Sequence, residues 1–264
     1  MTNKVKQVVI LAGGKGTRLA EETIHRPKPM VEIGGKPILW HIMKIYDYYG
    51  IKEFIICLGH KGDMIKEYLF NYTLLNSDIT LRTNSNGSSN IVWHRNNSED
   101  WTITLINTGE DTMTGGRLKR IKPYLYPGIP FCMTYGDGVG DVNIKELIRF
   151  HFEQGKLATV TGVKPIARFG ALHLEDHLVS YFEEKPKDES GFINGGFFIL
   201  NPEVVDYIDN DQISWEKEPL EKLATNRQLI AFLHKGFWQP MDTIRDKQYL
   251  DSLWSNNQAP WKVW

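Results

Sequence analysis

An apolar run that empties into a glycine-rich turn limits this chain more than any other stretch. Val8–Ala12 reads as a buried strand, and it delivers the backbone to Gly13, Gly14 and Gly16 within LAGGKGTRL. Glycine permits positive φ and close backbone approach to a ligand. Consecutive N–H groups in such a turn form a concave anion site, to which a helix N-terminus adds. Lys15 and Arg18 lie inside the turn, and Lys28 follows on a stiff segment between Pro27 and Pro29. A polyphosphate suits this set of amides and cations. Two better-known glycine patterns do not match. A P-loop ends in Gly-Lys-Ser/Thr, whereas here Lys15 precedes Gly16; and Gly14-Lys15-Gly16-Thr17-Arg18-Leu19 lacks the third glycine of a dinucleotide fingerprint.

Downstream, strand-like and helix-like segments alternate, the pattern of a mostly parallel sheet flanked by helices. Strands are expected at Val5–Ala12, Phe54–Leu58, Thr102–Ile106, Phe131–Tyr135, Leu157–Val163, Phe197–Leu200 and Leu229–Leu233. Helical spacing marks Pro37–Tyr49, Asp63–Tyr72, a short helix opening near Gly115-Gly116, Val142–Glu153, Pro202–Ile208, Pro219–Thr225 and Ile244–Trp254. A hairpin is expected from Ala171–Leu174 and Val179–Glu183, so the sheet becomes mixed toward its end. The fold class is therefore α/β, a mostly parallel but mixed central sheet with added β-hairpins. At 264 residues the whole of 1–264 fits a single domain. Between about 75 and 107 the chain makes an excursion: NSNGSSN has the composition of an exposed loop, with short strands at Ile79–Arg82 and Ile91–His94 on either side.

Ligands in open α/β sheets bind beyond the carboxyl ends of the strands. Asp137 ends Phe131–Tyr135 inside Gly-Asp-Gly, and Asp242 follows the Phe237-Trp238 segment. Two such carboxylates suit Mg²⁺, which completes its shell with phosphates and water. Asp141 is the competing ligand, although its position fits a helix N-cap. Lys185 in Glu183-Glu184-Lys185-Pro186 is placed to hold a sugar phosphate, with Asn194, Gly195 and Glu183 for its hydroxyls and Gly170 as a further wall. A phosphate monoester is mostly dianionic at neutral pH, so its attack on a triphosphate requires no general base. His173 and His177 flank a hairpin turn and read as surface or core residues. Cys57 and Cys132 lie in apolar strand runs and read as buried free thiols. Trp238, Trp254, Trp261 and Trp264 read as core or interface aromatics rather than platforms for a base. A net charge of −1 excludes a general affinity for nucleic acid or anionic membrane. No apolar run approaches the ~18 residues of a membrane span, and a cytoplasmic protein is expected.

With these residues assembled, the chain resembles the sugar-phosphate nucleotidyltransferases. The resemblance is carried along its length by GGKGTRL, PKPMVEIGGKPILWHIMK, TGGRLKR, FCMTYGDGV, FEEKP, INGGFF, WEKEPL and FWQPMDT. It implies the Rossmann-like, GT-A-like fold of that family. It is strongest toward the branch that transfers a cytidylyl group from CTP to α-D-glucose 1-phosphate with Mg²⁺, releasing pyrophosphate and feeding dideoxyhexoses of surface polysaccharide. The same reaction with dTTP or UTP, and a non-catalytic nucleotide-sugar sensor, are the alternatives. Carried over residue by residue, the resemblance implies that Leu11, Ala12, Gly13, Gly14, Lys15, Gly16, Thr17 and Arg18 hold the nucleotide, with Arg18 on the departing pyrophosphate. Lys28 would then steady the α-phosphate, and Thr114, Arg117 and Gly136 would contact nucleotide. Asp137 and Asp242 would hold the metal, Lys185 the sugar phosphate, and Asn194 the glucose. It also implies a homo-oligomer, a hexamer, with the excursion meeting a neighbouring subunit.

Overall fold

The computed structural model describes residues 5–83, 89–164, 171–175, 178–183 and 191–264, with the backbone alone at 89, 171–175 and 178–183. Alternation along the central strands sets the architecture. In β1 (Gln7–Leu11), Val8 and Ile10 enter one core while Val9 and Leu11 enter another. The same division separates Phe54, Ile56 and Leu58 from Ile55 and Cys57 in β2 (Glu53–Leu58). Strands apolar on both faces must be covered on both faces, which requires helices above and below the sheet.

The sheet also contains β3 (Thr102–Asn107), β4 (Phe131–Tyr135), β5 (Ala158–Val163), β6 (Ile193–Leu200) and β7 (Leu229–His234), in the order β7-β5-β6-β4-β1-β2-β3. β1 is parallel to β2 and β4, β2 to β3, and β5 to β7. β6 pairs antiparallel with both β4 and β5, so it alone runs against the other six. Its N-terminal end therefore lies at the edge where the others end, and Asn194 pairs with Gly162 there. The chain first moves from β1 outward to β2 and β3, then crosses back to β4 on β1's other side. That reversal opens a crevice between the loops that follow β1 and β4.

One face is covered by α1 (Ile38–Tyr48), α4 (Ile144–Gln154) and α6 (Ile244–Ser255), together with the buried Trp261. Ile38, Leu39, Ile42, Met43 and Ile45 of α1 are fully buried, each stabilising the fold by roughly 1.5–3 kcal/mol relative to exposure. Gly50 ends this helix at φ 81°, its N–H bonded to Asp47 O (2.8 Å) and that of Ile51 to Tyr46 O (3.1 Å). These two bonds make a Schellman motif, which needs a left-handed residue at that place. The other face is covered by α3 (Thr114–Arg120), the 3-10 turn Pro202–Tyr207 and α5 (Glu218–Thr225), whereas α2 (Gly62–Phe70), which follows β2, buries Ile65 in the first core. Among the described residues no helix is long and apolar enough to cross a membrane.

Most expected elements stand where periodicity placed them, and three details differ. Pro202–Tyr207 is 3-10 rather than α-helical. Asp141 is not the cap of α4: Asn143 Oδ1 accepts from Glu146 N–H at 3.1 Å, and Asp141 instead lies 3.0 Å from His234 Nε2. Two small antiparallel pairings were not foreseen, Glu32–Ile33 with Lys36–Pro37 and Gly138–Gly140 with Trp238–Pro240. The excursion forms a separate two-stranded sheet, Ser77–Thr83 with Ser89–Asn96, before β3 rejoins the main sheet. The expected later hairpin is present as Ala171–Glu175 paired with Leu178–Glu183.

Candidate active site

A cleft of about 640 Å³ lies beyond the carboxyl edge of the sheet, at the crevice between β1 and β4. Its floor is the glycine turn, whose shape is set from below by Arg117. This side chain is 4% exposed, and its Nη1 donates to Leu58 O (3.0 Å), Thr108 Oγ1 (2.7 Å) and Gly109 O (2.8 Å). Nη2 donates to Gly13 O (3.0 Å) and Glu110 O (3.2 Å). The guanidinium thus ties together the loop after β1, the last residue of β2 and the loop after β3. Burial lowers its pKa from the usual arginine value, which still leaves a charged group beneath an anion site. Gly13 O also accepts from His60 N–H at 3.2 Å. Because C=O and N–H point opposite ways across a trans peptide, anchoring Gly13 O below turns Gly14 N–H up toward the cleft. Only glycine fits at residue 13: a Cβ there would lie 2.1 Å from Arg117 Nη1. Gly16 adopts φ 64° and its carbonyl accepts from Thr23 Oγ1 at 3.1 Å.

The short pairing of Gly138–Gly140 with Trp238–Pro240 brings together Asp137 and Asp242, which are distant in sequence. Met241 N–H donates to Asp137 O at 2.8 Å, closing the end of that ribbon. Lys28 Nζ lies between the two carboxylates, 2.8 Å from Asp137 Oδ2 and 2.7 Å from Asp242 Oδ1. Arg18 Nη1 takes the other oxygen of Asp242 at 2.7 Å. The two carboxylates are close enough for one cation to bridge them. Hard oxygen donors of this kind fit a divalent ion that draws its remaining ligands from phosphate and water. They do not make an all-protein cage, since no group of three or more His, Cys, Asp or Glu converges among the described residues.

The facing wall comes from β4, β6 and the segment before α5. Tyr135, last residue of β4, donates its hydroxyl to Glu216 Oε1 at 2.6 Å and accepts from Asn194 Nδ2 at 3.2 Å. Thr114 donates to Glu216 Oε2 at 2.6 Å. Burial first, and the Glu216 carboxylate second, hold the Tyr135 phenol well above its ordinary pKa, so it remains a donor. Trp238 Nε1 donates to Gly195 O at 2.7 Å and the side chain lines the cleft.

Leu11, Ala12, Gly13, Gly14, Gly16, Thr17, Arg18, Lys28, Thr114, Arg117, Gly136, Asp137, Asn194, Gly195 and Asp242 therefore come together around one cleft. Lys15 stands apart, in an exposed ion pair with Asp111 at 3.1 Å. Gly170 and Lys185 lie outside the described residues, as does the side chain of Glu183, whose backbone pairs with Ala171. Trp238 packs against the core as expected and in addition walls the cleft, because the strand that positions Asp242 also carries it. Trp254 and Trp261 stack on each other, and with Trp264 they pack around His41 and Trp40. Sequence reasoning also missed Tyr135 and Glu216. The available signal for Tyr135 was its place directly before Gly136-Asp137; Glu216 offered none beyond a charged run. Cys57 and Cys132 are buried free thiols on opposite faces, with pKa values raised by burial, that of Cys57 to about 12.

Comparison with known proteins agrees with this geometry. Residues 7–246 match the family model described as nucleotidyl transferase. A glucose-1-phosphate cytidylyltransferase of Salmonella typhi is 57% identical over 258 residues, spanning 98% of this chain and 99% of that protein. A Bacillus subtilis protein named a probable glucose-1-phosphate cytidylyltransferase is 45% identical over 259 residues, spanning 98% of this chain and all of that one. Among solved structures, HddC from Yersinia pseudotuberculosis complexed with GMP-PN aligns with a TM-score of 0.70 at 25% identity, covering 95% of this chain and 100% of that one.

Proposed function

This chain belongs to the nucleotidyl transferase family, with the family's GT-A-like fold, and from that premise we propose that it transfers the cytidylyl group of CTP to α-D-glucose 1-phosphate, giving CDP-glucose and pyrophosphate. The observation that carries the choice of substrates is its 57% identity, across nearly the whole chain, to a glucose-1-phosphate cytidylyltransferase. The cleft supplies what that reaction needs. The attacking sugar phosphate is already an anion and requires no base. The protein's work is to align two polyanions and offset their repulsion.

In this reading the amides of Gly13–Thr17 receive the triphosphate, Arg18 follows the departing pyrophosphate, and Lys28 follows the α-phosphate. Leu11 and Ala12 pack on the nucleoside, with Thr114 and Gly136 beside it. Arg117 acts beneath the loop through Gly13 O. Asn194 and Gly195, with Lys185, Glu183 and Gly170, hold the sugar phosphate. Asp137 and Asp242 are the residues that would hold Mg²⁺. When bound, the ion would neutralise charge on the phosphates and polarise the α-phosphorus. The whole of 1–264 works as one domain in the cytoplasm, in a homo-oligomer of which the excursion forms an interface. Exposed Leu81, Ile91, Val92 and Trp93 on that two-stranded sheet support the last point, since such a ribbon is marginal alone in water.

The test is pyrophosphate release from CTP, UTP, dTTP, ATP and GTP, each with glucose 1-phosphate and Mg²⁺. CTP is expected to lead. Preference for UTP or dTTP would replace the nucleotide and leave the reaction type standing; no release from any of them would favour a nucleotide-sugar sensor.

A further inference from the structure

Charge is divided along the cleft. Arg18, Lys28, Asp137 and Asp242 balance one another at one end. On the facing wall, Glu216 is exposed to the cleft, and among the described residues no lysine or arginine pairs with it. Its oxygens are held by neutral hydroxyls instead, Tyr135 on Oε1 and Thr114 on Oε2, each at 2.6 Å. Those partners are themselves fixed. Trp215 N–H donates to Thr114 Oγ1 at 2.9 Å, Asn194 Nδ2 donates to Tyr135 Oη at 3.2 Å, and Gly196 N–H donates to Asn194 Oδ1 at 2.8 Å.

These bonds settle where the two hydroxyl protons of the wall point. The Thr114 and Tyr135 hydroxyl protons are both directed at Glu216, so neither is left to donate to a ligand. What still faces the cleft is the second lone pair of each Glu216 oxygen and the remaining N–H of Asn194. Two acceptors bearing a negative charge, beside one neutral donor, match the hydroxyls of a sugar. They do not match a second phosphate or a carboxylate, which would meet a like charge that no cation among the described residues offsets.

We propose that Glu216 is a specificity-determining residue of the sugar subsite, accepting hydrogen bonds from hexose hydroxyls and excluding hexose 1-phosphates that carry a second anionic group at that wall. The proposal rests on the reading of the cleft as a hexose 1-phosphate site. Thr114 and Asn194 sit at its two ends, so the same carboxylate also fixes the hydroxyl of one and the neighbour of the other.

The test is Glu216→Gln, which keeps the shape and removes the charge. Steady-state kinetics would be measured with glucose 1-phosphate, glucuronic acid 1-phosphate and CTP. The expected result is a KM for glucose 1-phosphate raised about tenfold, the change of one charge-assisted hydrogen bond, with a smaller rise in the KM for CTP through the loosened Thr114. The ratio of kcat/KM for the glucuronic acid compound over the glucose compound should rise at least about tenfold. Glu216→Asp, which keeps the charge, should retain the exclusion. An unchanged ratio in Glu216→Gln, relaxation of the ratio in Glu216→Asp to the same extent, or an effect confined to the KM for CTP would overturn the proposal. Wild-type turnover of glucose 1-phosphate tests the underlying reading separately. If the wild type prefers another hexose 1-phosphate, that compound and its uronic counterpart take the same places in the comparison.

Discussion

Replacing Lys28 by methionine separates two tasks that the structure gives one side chain. Its ammonium bridges Asp137 and Asp242 with 7% of the side chain exposed, and methionine fills a similar volume without charge. Removing one partner of a fully buried ion pair costs about 3–5 kcal/mol. Here the loss should be smaller, about 2 kcal/mol, because the Asp137 side chain is 33% exposed and Arg18 still pairs with Asp242. The catalytic loss should be larger. A donor aimed at charge that develops on a reacting phosphate contributes roughly 2.7–4 kcal/mol, so kcat should fall about 10²–10³-fold. Metal binding should move the other way. Without nucleotide, the ammonium and a divalent ion compete for the same two carboxylates, so Mn²⁺ titrated into Lys28→Met should bind at least as tightly as to wild type. Denaturant unfolding, pyrophosphate release and Mn²⁺ titration measure the three effects. Wild-type kcat, or Mn²⁺ affinity reduced tenfold or more, would refute the reasoning.

Asp137→Asn and Asp242→Asn should each lower kcat by several orders of magnitude and weaken Mn²⁺ binding, with the nucleotide-independent fold intact by circular dichroism; near-normal turnover in either would remove it from the metal site. Gly13→Ala places a Cβ 2.1 Å from Arg117 Nη1. Displacing that guanidinium should cost about 3 kcal/mol, roughly two charge-assisted hydrogen bonds, whereas Gly14→Ala, with nothing within 4 Å of its Cβ, should fold almost normally; equal stability of the two would contradict the role of Arg117. His41 is buried between Ile33 O (2.9 Å) and Trp261 Nε1 (3.3 Å), and burial lowers its pKa from 6.5 to about 4. The unfolded chain takes up this proton from about pH 6.5 downward and the folded chain does not, so stability falls as pH drops through that window, by about 3 kcal/mol in all. Burial lowers the pKa of His151 as well, in the same sense. Urea unfolding between pH 7 and 4.5 should show the slope, and His41→Phe should flatten it; an identical slope in the variant would contradict the assignment.

How much of this was legible in sequence depended on the range of each interaction. β1 and β4 were readable because both faces are apolar and each leads into glycine, which also marked Asp137 as a candidate ligand at a strand end. Asp242 was readable as a residue, but the ribbon that sets it beside Asp137 was not. Its two strands of three residues are too short for periodicity, and they pair across about a hundred positions. The same ribbon explains why Trp238 walls the cleft while Trp261 is buried in the core. Arg117 shows a different limit. An arginine in TGGRLKR reads as a surface or ligand-facing cation, and only the fold, through the loop after β1, the end of β2 and the loop after β3, presents it with five oxygen acceptors. Asp141 and Asn143 compete for one cap on nearly equal propensity, and the contact of Asp141 with His234, at the end of a distant strand, decides between them. Glu216 reads as one of several solvated charges in WEKEPL until Tyr135 and Thr114 are seen to converge on it.

In the proposed reaction two mutually repelling phosphate esters meet where Arg18, Lys28 and the paired aspartates converge. Anomalous scattering from a crystal grown with Mn²⁺ and a non-hydrolysable CTP analogue tests that most directly. A manganese peak bonded to both Asp137 and Asp242, with the triphosphate across Gly13–Thr17 and in contact with Arg18 and Lys28, is the predicted result. Triphosphate or metal bound away from those residues would contradict it.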